Sequence, residues 1–143
     1  MLFRSLVEFR HRSWLEEEAR GEVLRWLEQR GMAYVTVDAP KLDAANVLPT
    51  VVAATAPLAY VRFHGRNAST WNTRGGSAAK RFDYLYAEEE LREWVEPLRT
   101  LGSETEEAYA FFNNNNVTNG VAQAPAGAEL LRRLLEENEV PTA

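Results

Sequence analysis

Hydrophobic and polar positions along this chain follow two periods, and the two periods take turns. Leu6-Val7-Glu8-Phe9-Arg10 alternates with a period of two, and so does Ala33-Tyr34-Val35-Thr36-Val37-Asp38, whose β-branched and aromatic residues suit a pleated strand. Between them Leu15, Ala19, Val23, Trp26 and Leu27 recur at helical spacing behind Ser13-Trp14-Leu15-Glu16, which has the form of a capping box. Gly31 suits the left-handed residue that ends such a helix. Leu58 to His64 predicts a third strand and Ala108 to Phe112 a fourth. The spacing of Leu91, Trp94, Val95, Leu98 and Leu101 predicts a helix from about Glu88 to Leu101, ended by Gly102 and kinked by Pro97. A last helix begins near Pro125 and carries Leu130, Leu131, Leu134 and Leu135.

Two connections show neither period. Residues 41–57 hold Pro49, Pro57 and the small-residue run Val51-Val52-Ala53-Ala54-Thr55, which predicts a loop with one weak helical turn. Residues 65–86 exceed the roughly 12 to 15 residues beyond which a loop tends to be functional or disordered. Trp71, Tyr84 and Tyr86 argue against disorder there.

This β-α-β-loop-β-α-β-α order predicts an α/β domain of about four parallel strands, joined by right-handed crossovers and flanked by helices. Such a chain is half of a (β/α) barrel or a small open sheet. Unpaired edges in a half-barrel favour the open sheet. The polar positions favour the half-barrel: Glu8 and Arg10, Thr36 and Asp38, Arg62 and His64, and Asn113 are expected on one face, where a doubly covered sheet calls for apolar residues.

Composition narrows the classes. A chain of 143 residues fits one domain with no internal repeat. Sixteen Lys and Arg against 21 Asp and Glu leave a net charge of −5, which disfavours nucleic acid as a partner, since that binding rests on clustered cations. The absence of cysteine excludes disulfides and thiolate metal sites and sets a cytoplasmic protein as the expectation. No apolar run approaches the roughly 18 residues of a membrane helix, and Glu8 and Arg10 interrupt Met1-Leu2-Phe3-Arg4-Ser5-Leu6-Val7 before it can serve as a signal segment, so no membrane partner is expected. Gly75-Gly76 lacks the preceding strand and following Lys-Ser or Lys-Thr of a phosphate loop, and no nucleophile elbow is present.

Candidate chemistry concentrates in Tyr60-Val61-Arg62-Phe63-His64-Gly65-Arg66-Asn67, where a strand delivers polar side chains to its C-terminal end, the place where β/α folds keep their sites. The plain alternative is an edge strand with a solvated face. Arg10, Arg62 and Arg66, with His11 and His64, make the cationic set an anion pocket needs, because guanidinium forks pair bidentately with phosphate or carboxylate. Glu8 and Asp38 neutralising Arg10 and Arg62 in an internal ion-pair lattice is the competing reading, and the two are compatible. His64 is a candidate general acid or base, with Asp38 or Glu8 to fix its tautomer; a hydrogen bond to a backbone carbonyl explains a buried histidine equally well. Glu8, Asp38 and His64 have ligand types suited to a divalent ion, but the neighbouring arginines oppose a cation, so no metal is expected and no cofactor is identified. Asn67, Asn113 and Asn114 are candidates for orienting a ligand, against a turn cluster that ends a strand. Trp71, Tyr84 and Tyr86 suit stacking on a sugar or base, or simply covering a core.

Taken in order, Val7-Glu8-Phe9-Arg10-His11-Arg12-Ser13-Trp14, Val37-Asp38-Ala39-Pro40, Val61-Arg62-Phe63-His64-Gly65-Arg66-Asn67, Trp71, Tyr84-Leu85-Tyr86, Glu90-Leu91 and Phe112-Asn113-Asn114 resemble domain-of-unknown-function family 72, the YecE-like proteins. The resemblance covers nearly the whole chain and implies a partial (β/α) TIM-type barrel similar to the C-terminal half of a longer protein, with Met1-Leu2-Phe3-Arg4 placed just before a mid-barrel strand. It implies a candidate pocket at the strand C-termini and no reaction. One departure is Gly127, which stands where similar proteins carry an asparagine ahead of the final helix.

The leading expectation is an enzyme acting on a small anionic substrate, such as a phosphorylated or carboxylated sugar, with His64, Asp38 and Glu8 in catalysis and Arg10, Arg62, Arg66, Asn67, Asn113 and Asn114 in binding. A non-catalytic binding protein for a phosphorylated ligand or a nucleic-acid end is the alternative. An inactive truncated half is a third. The first and last strands, unpaired on one side, also predict self-association.

Overall fold

Four segments with strand character form one parallel sheet in the order β1 (Leu6–Val7), β2 (Ala33–Asp38), β3 (Leu58–Phe63), β4 (Glu107–Phe112). The computed structural model describes residues 4–72 and 78–143. Met1-Leu2-Phe3 and the Gly75-Gly76 pair lie outside the described residues. Sequence order and spatial order coincide, so each connection returns the chain to the same end of the sheet before the next parallel strand begins. β3 is an interior strand, not an edge.

The helices are α1 (Glu17–Glu28), α2 (Ala78–Arg81), α3 (Glu88–Arg92), α4 (Val95–Glu104) and α5 (Gln123–Glu137). Gly31 takes the left-handed conformation beyond α1, with φ 61°. Other boundaries depart from expectation. The capping box does not form: Ser13 Oγ lies 2.8 Å from His11 Nδ1, that same nitrogen accepts from Ser13 N at 3.3 Å, and Arg12–Trp14 makes a 3₁₀ turn that delays α1 to Glu17. The helix expected over 88–101 divides into α3 and α4. Pro97 is the third residue of α4, where its missing N–H is harmless, while its ring excludes a helical carbonyl four residues upstream, at Glu93. Gly102 does not end α4, which runs on until Thr105 Oγ1 donates to the Leu101 carbonyl at 2.7 Å. A two-stranded antiparallel hairpin, β5 (Val117–Thr118) and β6 (Val121–Ala122), lies between the asparagine cluster and the last helix, where no element was expected. Its tip is Asn119-Gly120, both at positive φ, the backbone that a two-residue hairpin turn requires.

The main core lies between β3, β4 and the helices that follow them. Ala59, Val61 and Phe63 point into it against Trp94, Leu98, Leu101, Leu131 and Leu134, all buried. Phe63 is central: it stacks on Phe112 at 4.5 Å and meets Tyr86 and Trp94 edge-on at 5.6 and 5.2 Å. A second cluster packs Leu15 and Leu27 with Tyr34, Val35 and Val37, so β2 is buried along its full length. Thr55 Oγ1 accepts from Tyr34 N at 2.8 Å and donates to the Met32 carbonyl at 2.7 Å, which fastens the irregular 41–57 segment to the start of β2.

Register decides which residues share a face. Val37 pairs with Arg62 and Arg62 with Phe111, whereas Asp38 pairs with Phe63 and Phe63 with Phe112. Laterally paired residues point the same way, so Arg62 and Phe111 face away from the helices while Asp38 faces them with Phe63. The expectation that Thr36 and Asp38 share a face with Arg62 and His64 is therefore corrected.

Gly127, in the first half of α5, stands against the Phe112 ring so closely that a Cβ would lie 2.8 Å from two ring carbons. Phe112 is braced from behind by Phe63, so the ring has nowhere to retreat. Gly127→Ala should therefore destabilise the fold by about 1–3 kcal/mol of overpacking, more than the roughly 1 kcal/mol gained in helix propensity. Thermal unfolding measures this, and a melting temperature unchanged or raised would contradict the packing described.

Candidate functional site

The C-terminal end of β3 carries two polar residues on the face turned away from the helices. Arg62 is the penultimate residue of the strand, and His64, one beyond it, continues the ladder by donating its backbone N–H to the Asp38 carbonyl at 3.0 Å. Both side chains end on one carboxylate. Arg62 Nη1 donates to Glu8 Oε2 at 2.7 Å, and His64 Nε2 lies 3.1 Å from Glu8 Oε1, with Arg10 Nη2 3.0 Å from the same oxygen. Glu8 can do this because the chain leaves the ladder after Val7, which frees it to lean over β2 toward β3.

Burial raises the Glu8 carboxyl's pKa, but hydrogen bonds from His64 and Arg62, and then their charges, outweigh it and hold the group at about 2, below its ordinary 4.5. Glu8 is thus an ionised acceptor, and the Nε2 of His64 must supply the proton of their hydrogen bond. That leaves Nδ1 as the imidazole nitrogen not held by Glu8. His64 is 2% exposed, and its Nδ1 has no hydrogen-bond partner among the described residues; the same holds for Arg62 Nε and for Asn113 Oδ1. The His64 ring is held flat against Phe82 at 5.1 Å and edge-on to Trp71 at 6.3 Å. Arg62 lies over the Phe111 ring at 5.7 Å. Asn113, one residue past β4, is held by its backbone N–H to the Phe63 carbonyl at 3.3 Å.

Asp38 belongs to a separate network on the helix side. Its carboxylate accepts from Arg66 Nε at 3.1 Å and Nη2 at 2.9 Å, from the Tyr86 hydroxyl at 2.5 Å and from Trp94 Nε1 at 3.3 Å. Arg66 also donates to Glu93 at 3.0 Å. Burial works against the charge on Arg66, yet these two carboxylates keep its pKa above the ordinary arginine value. Burial, then the Asp38 charge and hydrogen bond, push the Tyr86 hydroxyl far up, so it stays a donor. With no donor to spare for a ligand at its Nη2–Nε edge, Arg66 is a brace, and Glu8, not Asp38, is the carboxylate on His64. Glu8, Asp38 and His64 do not gather as a ligand set, nor does any such trio among the described residues.

The turn between these networks is pinned at Gly65. Its φ is +86°, its N–H donates to the Tyr86 hydroxyl at 2.8 Å, and a Cβ there would lie 2.5 Å from Tyr84 Cβ. Asn67 Nδ2 donates to the Asp83 carbonyl at 2.9 Å and its Oδ1 accepts from Ser69, so it supports the following loop. Asn114 Nδ2 donates to the Phe82 carbonyl at 3.1 Å, bracing the ring that covers His64. Of the three expected stacking aromatics, Trp71 lies beside His64, Tyr86 is committed to Asp38, and the Tyr84 hydroxyl donates to Glu90 at 2.5 Å. Sequence reasoning did not single out Gln123, whose buried amide reaches Asp83, Thr118 and the Tyr84 N–H. A lone buried amide leaves no periodic signal. Two cavities, one beside Arg12, Lys41 and Thr50 and one beside Phe9, Trp14 and Trp26, are not lined by Glu8, Arg62 or His64.

A parallel α/β protein with a charged rim at its strand C-termini is the class these features define. The match of residues 2–143 to the family model described as "Protein of unknown function DUF72" is more specific: the chain belongs to the DUF72 family. The UPF0759 protein YunF of Bacillus subtilis is 32% identical over 132 residues, which are 90% of this chain and 45% of that protein. A DUF72 family crystal structure from Thermotoga maritima matches with a TM-score of 0.77 at 37% identity, covering 94% of this chain and 46% of the other. One from Enterococcus faecalis matches with a TM-score of 0.81 at 27% identity, covering 93% and 47%. The chain thus spans about half the length of these relatives.

The depressed Glu8 carboxyl makes a pH prediction. Its contribution to stability is complete above the ordinary value of 4.5 and is lost as pH falls toward about 2, because only the unfolded chain then binds the proton readily. Thermal melts from pH 7 to pH 2 on the natural chain and on Glu8→Gln should converge in acid, the variant being the less stable near neutrality. Acid limbs that run parallel throughout would remove Glu8 from the account.

Proposed function

We propose that the rim at the C-termini of β1 and β3 is a small-anion site in which His64 moves a proton, so that the chain contributes an enzymatic site for a phosphorylated or carboxylated small molecule. The observation that carries this reading is the shared Glu8 carboxylate, which holds Arg62 and His64, while Arg62 Nε, His64 Nδ1 and Asn113 Oδ1 are buried with no hydrogen-bond partner among the described residues. Buried polar atoms are nearly always hydrogen-bonded, and a cluster of exceptions at a strand end is what a ligand-binding rim presents. Arg62 and Arg10 outnumber Glu8 in charge, so the excess at the rim is cationic and favours an anion. His64, with Nε2–H committed to Glu8, has Nδ1 as the atom that would give or take a proton.

The sheet is read as half of a (β/α) barrel. Arg4, ahead of β1, reaches Glu106, ahead of β4, at 3.5 Å. Three strand spacings of about 4.8 Å would put those strands roughly 14 Å apart in a flat sheet, near the limit of two extended side chains, so the pair favours a curled one. The rim then lies at the mouth of that curve, where barrels keep their sites.

Arg132, paired with Glu136 on the exposed face of α5, serves as the comparison. Titration calorimetry with inorganic phosphate should show Arg62→Ala weakening binding about tenfold or more and Arg132→Ala leaving it unchanged. Equal affinities for the two variants, with circular dichroism showing both folded, would refute an anion site at Arg62.

A further inference from the structure

We infer that Phe82-Asp83-Tyr84 is a gate over His64, latched shut by the side-chain amides of Asn114 and Gln123, and that a ligand reaches the imidazole only when this strap swings away. The inference rests on the proposed anion site for its purpose and on packing alone for its mechanics. His64 is 2% exposed: Glu8 holds its Nε2, the Phe82 ring covers one face of the imidazole at 5.1 Å, and Trp71 stands edge-on to it at 6.3 Å. Phe82 and Trp71 also meet edge-on, at 6.1 Å, so the two rings close one wall. Behind that wall His64 Nδ1, Trp71 Nε1 and Asn114 Oδ1 are all buried with no hydrogen-bond partner among the described residues. Polar atoms sealed off in this way are costly, and a compartment that opens to a polar guest accounts for them. Further polypeptide packed outside these residues would not undo burial that they already complete, so access to Nδ1 requires one of the walls to move.

The walls differ in how they are held. His64 continues β3, whose backbone is laddered to β2 on one side and β4 on the other. Phe82-Asp83-Tyr84 lies between α2 and α3, outside any helix or strand, and side-chain amides fasten it. Asn114 Nδ2 donates to the Phe82 carbonyl at 3.1 Å and Asn67 Nδ2 to the Asp83 carbonyl at 2.9 Å. Gln123 accepts the Tyr84 N–H at 3.1 Å and donates to the Asp83 carboxylate at 2.6 Å. One backbone bond, from Asp83 N–H to the Lys80 carbonyl at 3.4 Å, adds to these. The two latches stand apart from the strap in the chain, Asn114 just beyond β4 and Gln123 at the start of α5, so both can let go without disturbing the main sheet. Gly65 makes room for the first, since a Cβ there would lie 2.8 Å from Asn114 Nδ2. The second is tied to the β5–β6 hairpin, because Gln123 Nε2 also donates to Thr118 Oγ1 at 2.9 Å. A stretch with few backbone bonds to break opens at far less cost than a strand inside a sheet.

Diethyl pyrocarbonate acylates unprotonated imidazole, and the chain has two histidines, so the exposed His11 calibrates each reaction. Followed by peptide mass spectrometry, His64 of the natural chain should react about tenfold more slowly than His11, or slower still. Phe82→Ala removes the cover, and Gln123→Met keeps the bulk of the latch while removing its hydrogen bonds. Each should speed His64 about tenfold or more with His11 unchanged, whereas Arg132→Ala should alter neither rate. Urea on the natural chain separates the strap from the whole domain: a local opening exposes little surface, so the His64 rate should stay level below the unfolding transition. His64 reacting as fast as His11 in the natural chain overturns the inference, as does a His64 rate that climbs with urea from the start, or one indifferent to both variants while circular dichroism shows them folded. No ligand enters this reaction, so its outcome is read apart from the phosphate titration of Arg62→Ala, and either can fail alone.

Discussion

A carboxylate removed from water sets the terms for the rest of this fold. Asp38 ends β2 facing the helices, where an unpaired charge would cost several kcal/mol. Its oxygens are met by Arg66 from the turn after β3, by Tyr86 ahead of α3, and by Trp94 between α3 and α4. Those donors come from separate stretches of chain, so satisfying the charge forces them together. Tyr86 in turn accepts the Gly65 N–H, and with Trp94 it walls the Phe63 ring. The path of the backbone past His64 is thus a consequence of the need to neutralise Asp38, and that path is what lets His64 and Arg62 end on Glu8.

The two carboxylates illustrate a division that one strand makes available. Arg62 and Phe63 are neighbours in β3, yet one belongs to a charged rim and the other to the centre of an aromatic core. Glu8 and Asp38 are sorted by the same alternation. The first lies among cations with donor and acceptor atoms to spare. The second is saturated by hydrogen bonds and serves as a fixed post.

Much of this was legible in the sequence, and the failures have physical causes. The period-two and helical patterns placed every strand of the main sheet, α1 and α5, and the alternation inside Leu58–Phe63 separated Arg62 from Phe63 correctly. The face of Asp38 is not legible in the sequence, because a period fixes which residues of one strand go together and says nothing of its phase against the next strand. Only the register, Asp38 beside Phe63, supplies that phase. The hairpin at Asn119-Gly120 had its turn signal, but two-residue strands carry too little alternation to announce themselves. Pro97 suggests a kink in one helix, but a proline in a first turn ends what precedes it more readily than it bends what contains it. Glu8, Arg62 and His64 were all named as candidates; their meeting on a single carboxylate depends on β1 stopping after Val7, a tertiary effect with no local signature.

β2 is buried at every position, whereas β4, two strands away in the same sheet, is exposed at all but its last residue. Cooperative stability in such a sheet is graded laterally. From burial alone, amide protons in Ala33–Asp38 are expected to exchange more slowly than those of Glu107–Phe111. The fold is therefore organised around β2 and β3, and its margin at β4 carries two of its exposed aromatic rings, Tyr109 and Phe111.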